Sequence, residues 1–197
     1  MLKKTLAIGM TLLLATTFAA AQGERAASPA GSSATQLGPG GKWLEITAGR
    51  PIKRGRDLWG SGPTYGKTLL AGGAQIWRAG ANVSTRLKTE AALEIGGKPV
   101  AAGEYSLFID LKSATEWMLI VSSWGAKKSG DDPQKDALWG AYNYTPDKDV
   151  ARVAMKIDKL PVAIDQLTWN FANVTPAGGS IVLMWDTVLA SAPFRVR

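Results

Sequence analysis

From Lys42 to the C-terminus, apolar and polar residues alternate in short runs separated by Gly, Pro, Asn and Asp. In GEYSLFIDL, Tyr105, Leu107, Ile109 and Leu111 share one face, with Ser106 and Asp110 on the other. In DVARVAMKI, Ala151, Val153, Met155 and Ile157 alternate with Arg152 and Lys156. QLTWNFANV groups Leu167, Trp169 and Phe171, and SIVLMWD groups Ile181, Leu183 and Trp185. Successive side chains of a strand point to opposite faces, so this period predicts half-buried strands. KWLEIT, NVSTRLK, EWMLIVSS and VLASAPFRV are further strand candidates. Helical period is weak throughout this region. About eight strands at this spacing predict an all-β fold, an antiparallel β-sandwich of jelly-roll type, with an open barrel as second choice.

Two turns are placed by the same pattern. Ile95-Gly96-Gly97-Lys98 joins two strands where glycine permits positive φ. Ala102-Gly103-Glu104-Tyr105 leads into the strongest strand. A tyrosine just after such a corner buries its ring and returns its hydroxyl to the backbone, a structural role.

The N-terminus follows another rule. Lys3 and Lys4 precede an apolar run from Leu6 to Ala20, and Ala19-Ala20-Ala21 supplies a small-x-small site before Gln22. That order predicts a secretory signal peptide over residues 1–21, cleaved on export. The run falls short of the ~20 residues a membrane span needs, and no later segment is long and apolar enough, so no stable membrane insertion is expected after cleavage. Residues 22–41, rich in Ala, Gly, Ser and Pro, read as a flexible leader. Residues 42–197 then form a single sandwich domain with a periplasmic or secreted location.

Composition narrows the chemistry. The formal charge of +7 becomes +5 when Lys3 and Lys4 leave with the signal. The remaining cations are scattered apart from Lys53, Arg54 and Arg56, and export separates the protein from nucleic acid, so no nucleic-acid partner is expected. There is no Cys and no His. This removes disulfides, thiolate nucleophiles, Ser-His-Asp triads and the usual zinc sets. No cofactor and no metal are expected. Asp131, Asp132 and Asp136 share one loop, but they lack the ordered spacing of a calcium motif and alternate with Lys127, Lys128 and Lys135.

Two regions concentrate binding chemistry. GRPIKRGRDLWG (Gly49 to Gly60) puts four cations within seven residues, bracketed by turn formers. IWRAGAN (Ile76 to Asn82) follows after a glycine-rich connection. Arginine forks onto carboxylate or phosphate, tryptophan offers a stacking face, and asparagine both donates and accepts. A shared polar site would use Arg50, Lys53, Arg56, Trp77, Arg78 and Asn82. The competing reading pairs Arg78 with a buried carboxylate and makes Asn82 a turn cap. Among eight tryptophans, Trp117, Trp169 and Trp185 fit the apolar alternation as core, whereas Trp59, Trp124 and Trp139 lie beside glycines and read as exposed. In WGAYNY, Trp139, Tyr142 and Tyr144 are candidates for stacking on sugar rings or for capping the end of the sandwich.

GRPIKRGRDLWG, YGK at Tyr65 to Lys67, IWRAGANVST, IGGKPVAAGEYSLF, WGAYNY and DVARVAMKIDKLP, in that order, resemble the bacterial domain of unknown function 2911 family. The resemblance runs from about Ile46 to Phe194. It implies an exported β-rich bacterial domain and no activity. The chain departs from the family pattern by a longer glycine-rich insert, Thr68 to Ala74, and by the charged loop Lys127 to Asp136 before WGAYNY. Three functional readings follow. The first is a binding domain for a polar, anionic or saccharide small molecule or an envelope protein. The second is a carbohydrate-active enzyme using two carboxylates, for which Glu104, Asp110, Glu116 and Asp149 lie near strand ends. The third is a purely structural envelope module.

Overall fold

The computed structural model describes residues 27–197. The expected signal peptide, residues 1–21, lies outside the described residues, as does the start of the leader. Eleven strands form: β1 (Ala30–Gln36), β2 (Trp43–Gly49), β3 (Ala81–Thr89), β4 (Leu93–Ile95), β5 (Lys98–Val100), β6 (Gly103–Ser113), β7 (Glu116–Ser122), β8 (Gly125–Ala126), β9 (Ala137–Leu138), β10 (Asp149–Thr175) and β11 (Gly178–Val196). Nine of them make one antiparallel sheet in the order β1-β2-β3-β6-β7-β10-β11-β4-β5. The all-β antiparallel fold expected from period two is the fold observed, but the eight anticipated runs make six strands, because DVARVAMKI and QLTWNFANV merge into β10 and SIVLMWD and VLASAPFRV into β11.

The short β4 and β5 flank the Gly96-Gly97 turn, and β1 comes from a segment with no strand pattern. Residues 30–36 lie inside the segment that composition assigns to a flexible leader, yet they pair residue for residue with β2, from Ala30 opposite Gly49 to Gln36 opposite Trp43. Backbone pairing asks little of side chains, so a run of Ala, Gly and Ser can be held by main-chain bonds. Ser33 Oγ adds a 2.7 Å bond to the Trp169 carbonyl on the far layer.

The sheet folds over at β10. Its first residues pair with β7, Ala151 opposite Val121 to Met155 opposite Trp117. From Lys156 onward it pairs with β11. Register breaks between Lys159 and Ile164, and again between Ile164 and Thr168. Pro161, which has no N–H to give a ladder, lies within the first break, and Asp186 at φ +53 sits opposite Ile164. Bulges of this kind bend and twist a strand, so one strand supplies both layers.

Between the layers lies the main core, including Leu44, Ile46, Leu87, Leu107, Ile109, Leu119, Leu167, Trp169, Ile181, Leu183 and Phe194, all buried. The alternation read from β6, β10 and β11 faces this core as expected. At one end five aromatic rings meet. Trp77 and Trp185 stack at 6.0 Å, Trp59 lies 5.0 Å from Trp117, and Trp117 Nε1 donates to Tyr65 Oη at 2.9 Å. Trp59, read from its glycine neighbour as exposed, instead packs against this cluster, and its Nε1 is buried without an acceptor among the described residues. An unmet donor costs about 1–3 kcal/mol. Its aromatic contacts at about 0.5–1.5 kcal/mol each offset that cost.

Both predicted turns form. Gly96 and Gly97 adopt φ +58 and +73 in a two-residue hairpin between β4 and β5, and a side chain at Gly96 would run into the Arg152 carbonyl. Tyr105 Oη donates to the Ala101 carbonyl at 2.9 Å, the corner bond expected.

Truncating Trp185, which is 2% exposed and also donates to the Asp165 carbonyl, is expected to destabilise the protein by about 3–5 kcal/mol. Val162→Ala, at a position 66% exposed, should stay within about 0.5 kcal/mol. Urea unfolding followed by tryptophan fluorescence compares the two.

Candidate functional site

The central strands β6 and β7 are apolar on both faces. Leu107 and Ile109 point into the main core, while Phe108 and Ile120, both fully buried, point away from it. An apolar outer face needs a cover, and residues 123–148 provide one. Ile76, Leu138 and Ala141 pack on Phe108 and Ile120, with Ala74, Trp124 and Tyr144 at the margin.

Buried polar groups on the same face hold the cover down. Ser106 Oγ and Arg86 Nη1 each donate to the Trp124 carbonyl at 2.8 Å. Ser84 Oγ donates to the Gly140 carbonyl at 2.6 Å, with the Leu138 carbonyl at 3.1 Å. Ser122 Oγ donates to the Lys148 carbonyl at 3.0 Å. Each of these serines is fully buried, so each bond satisfies a group that would otherwise be costly. The short parallel pair β8–β9 closes the base of the cover.

A cavity of about 360 Å³ opens in this cover. Trp124, Lys127, Lys135, Trp139, Tyr142 and Asn143 are among its walls, with Gln134 beside them. The walls are held before any ligand arrives. Trp124 Nε1 donates to the Thr145 carbonyl at 3.1 Å, and Lys148 Nζ sits 4.1 Å above the indole ring. Lys148 is in turn paired with Asp136 at 2.6 Å. One face of Trp124 is therefore taken by a cation, and its ring also packs against the apolar cluster beneath the cover.

The carboxylates of the loop are engaged elsewhere. Asp132 accepts the N–H groups of Lys128 at 2.9 Å and Gln134 at 3.1 Å, which shapes the loop and holds its carboxyl below the usual range. The Lys148 bond does the same for Asp136, and a bond from Ser129 does so for Asp131. Lys127 and Lys135 make no ion pair among the described residues. Among the described residues, no carboxylate lines the cavity.

On the far side of Tyr142, a second cavity of about 200 Å³ is lined by Gly72, Gly73, Ala74, Gln75, Ala141, Tyr142, Asn143 and Tyr144. Tyr142 packs its ring over Gly72 and is 37% exposed. Tyr144 is less available than its neighbour. Its hydroxyl donates to Asp149 Oδ2 at 2.6 Å and accepts from Arg152 Nη2 at 2.9 Å, and its ring meets Phe108 edge-on at 5.2 Å. Burial and the Asp149 bond both push the Tyr144 hydroxyl above its ordinary value.

The two loops expected to share one site do not share it. Arg50 donates through Nε to the Leu167 carbonyl and through Nη2 to Thr168 Oγ1, both at 3.0 Å, tying the β2 end to β10. Lys53 pairs with Asp186 at 2.5 Å. Arg56 folds back on the carbonyls of Ile52 at 2.8 Å and Lys53 at 3.0 Å. Trp77 is 2% exposed in the aromatic cluster, so it has no face to offer a ligand. Arg78 points the other way, toward the cover. It donates to the carbonyls of Gly80 at 3.3 Å and Asn82 at 3.2 Å and lies so close to Gly140 that a side chain there would force it to shift. Burial lowers the Arg78 guanidinium from its ordinary value, with Tyr142 opposing. The space beside it is only about 10 Å³, no more than one water molecule needs. Asn82 is exposed at φ +62 as the second residue of β3. Arg50 meets a carbonyl of β10, Arg56 and Arg78 meet nearby backbone carbonyls, and Lys53 meets a carboxylate, so all four are engaged within the fold. Lys127, Lys135, Gln134 and Asn143 went unnoticed as site residues. The signal was present, because WGAYNY and the charged loop beside it are adjacent in sequence.

Arg50→Ala is expected to lower stability by about 1.5–3 kcal/mol, the range for bonds to charged groups, because the Leu167 carbonyl and Thr168 hydroxyl lose their donor. Equilibrium denaturation measures it.

The family model described as protein of unknown function (DUF2911) matches residues 28–194. No curated protein and no solved structure shows a significant match. The chain belongs to this family, and the match begins just ahead of β1.

Proposed function

We propose that this protein is an exported binding domain that holds a saccharide-type ligand in the cavity between Lys127 and Asn143. The observation that carries the reading is the meeting of Trp124, Trp139 and Tyr142 with Lys127, Lys135, Gln134 and Asn143 around one cavity of about 360 Å³. Binding sites combine apolar and aromatic walls with a few placed polar groups, in volumes of about 300–1,000 Å³. Aromatic rings suit the C–H faces of sugars, and amide and ammonium groups suit hydroxyls and acids. Walls held in place beforehand lose less conformational freedom on binding. Export rests on the charged start, short apolar run and Ala19-Ala20-Ala21 site of residues 1–21. Among the described residues no helix is long and apolar enough to cross a membrane.

The carboxylate-enzyme reading finds no support at this cavity. Glu104 pairs with Arg86, Asp110 with Lys112, and Asp149 with Arg152 and Tyr144, and none of them borders it.

Thermal shifts against neutral and acidic glycans test the proposal. A ligand bound only by the folded state raises the melting point by mass action. Trp139→Ala should weaken binding about tenfold or more, equivalent to about 1.4 kcal/mol, with the melting point of the free protein little changed. Replacing Lys127 and Lys135 by alanine should selectively remove binding of acidic glycans, and the parent protein's affinity for these should fall as salt rises. Absence of any shift, with envelope proteins retained by the purified protein and lost on Trp139→Ala, would replace the saccharide by a protein partner at the same face.

A further inference from the structure

The two cavities beside Tyr142 are neighbours, with Tyr142 and Asn143 in the walls of both. Their chemistry differs. Lys127 and Lys135 line the larger one, of about 360 Å³. No charged residue lines the smaller one, of about 200 Å³, whose polar groups are Gln75, Asn143 and the tyrosines. Among the described residues, neither has a carboxylate in its walls. The larger cavity can repay the desolvation of an acid, and the smaller cannot, because an unpaired charge placed there would meet no cation. Tyr142 stands at the boundary with its ring fixed over Gly72, so a chain crossing from one cavity to the other must pass it.

We propose that the site takes a linear oligosaccharide across two adjacent subsites, an acidic sugar between Lys127 and Lys135 and a neutral sugar in the Gly72–Tyr144 cavity. This rests on the saccharide reading above and goes further by fixing length, charge and direction. A monosaccharide acid fills only the first subsite. A longer chain gains contacts with Gln75 and Asn143, and those contacts are independent of salt because no ion pair is involved. Gln75 becomes a specificity-determining residue for length, although it touches nothing in the first cavity.

Calorimetric titration of the purified protein with galacturonic acid, its dimer and tetramer, and mixed dimers with one neutral unit at either end tests this. Affinity should rise about tenfold or more from the acidic monomer to the mixed dimer of one orientation, and the all-acidic dimer should bind less tightly than that mixed dimer. Gln75→Ala, at an exposed loop position, should erase the gain from the second unit while leaving monomer binding unchanged. Lys127→Ala with Lys135→Ala should weaken acidic monomer and dimer alike. Affinity independent of length, untouched by Gln75→Ala yet lost on Trp139→Ala, would overturn the two-subsite arrangement and leave the single saccharide site standing. Failure of every sugar, charged or neutral, to bind would overturn both. Near-ultraviolet circular dichroism of each variant verifies that its fold is retained.

Discussion

β10 runs for 27 residues and belongs to both layers of the sandwich. Where it leaves β7 and turns to pair with β11, its outer edge loses a neighbouring strand, and its carbonyls must find other donors. Lys53 N–H donates to the Asp165 carbonyl, while the Pro51 carbonyl accepts from Leu167 N–H. Arg50 reaches the Leu167 carbonyl and Ser33 the Trp169 carbonyl. The basic segment after β2 is therefore a seam between layers, one backbone bridge at Ile52 and Gln166 reinforced by side-chain donors. Lys53 on Asp186 fixes the same seam from the β11 side.

The aromatic cluster fills the end of the space that the bent strand opens. Trp77 arrives there because its backbone pairs with Ile109 of β6 through two bonds, 2.8 and 2.9 Å long. The neighbouring Arg78 must then face outward, against Gly140. The WR-x-GAN segment thus joins core to cover: one side chain anchors the interior and the next supports the loop that carries the candidate site. Ala79 completes the joint by accepting from Trp169 Nε1 at 2.8 Å and Thr85 Oγ1 at 3.1 Å.

The candidate site follows from a second requirement of the same sheet. Phe108 and Ile120 make the outer face of β6–β7 apolar, and four polar side chains on that face bind the carbonyls of the segment laid over it. A long excursion becomes a fixed surface without a disulfide. Its aromatic and basic residues are left at the rim, where the apolar contact ends.

Period two in the sequence was sufficient for the all-β class, for the core faces of β6, β10 and β11, for the Gly96-Gly97 hairpin and for the Tyr105 corner. These depend on neighbours a few residues apart, and local pattern records them. The strand at 30–36 left no such record, because its bonds are between backbones. Trp59 and Trp77 lie beside glycines and charges in sequence, yet the fold draws them inward. Arg50, Lys53 and Arg56 look alike in composition to ligand-binding cations, and whether a guanidinium meets a ligand or an orphan carbonyl depends on where β10 ends its pairing. Trp139 and Tyr142 were legible as aromatic surface residues, whereas their union with Trp124, Lys127 and Lys135 around one cavity was not. The sequence determined which elements form and which faces are apolar, since those are properties of adjacent residues. Only the tertiary structure decided which polar groups remained unspent, since hydrogen-bond partners more than a hundred residues apart meet after the sheet has folded.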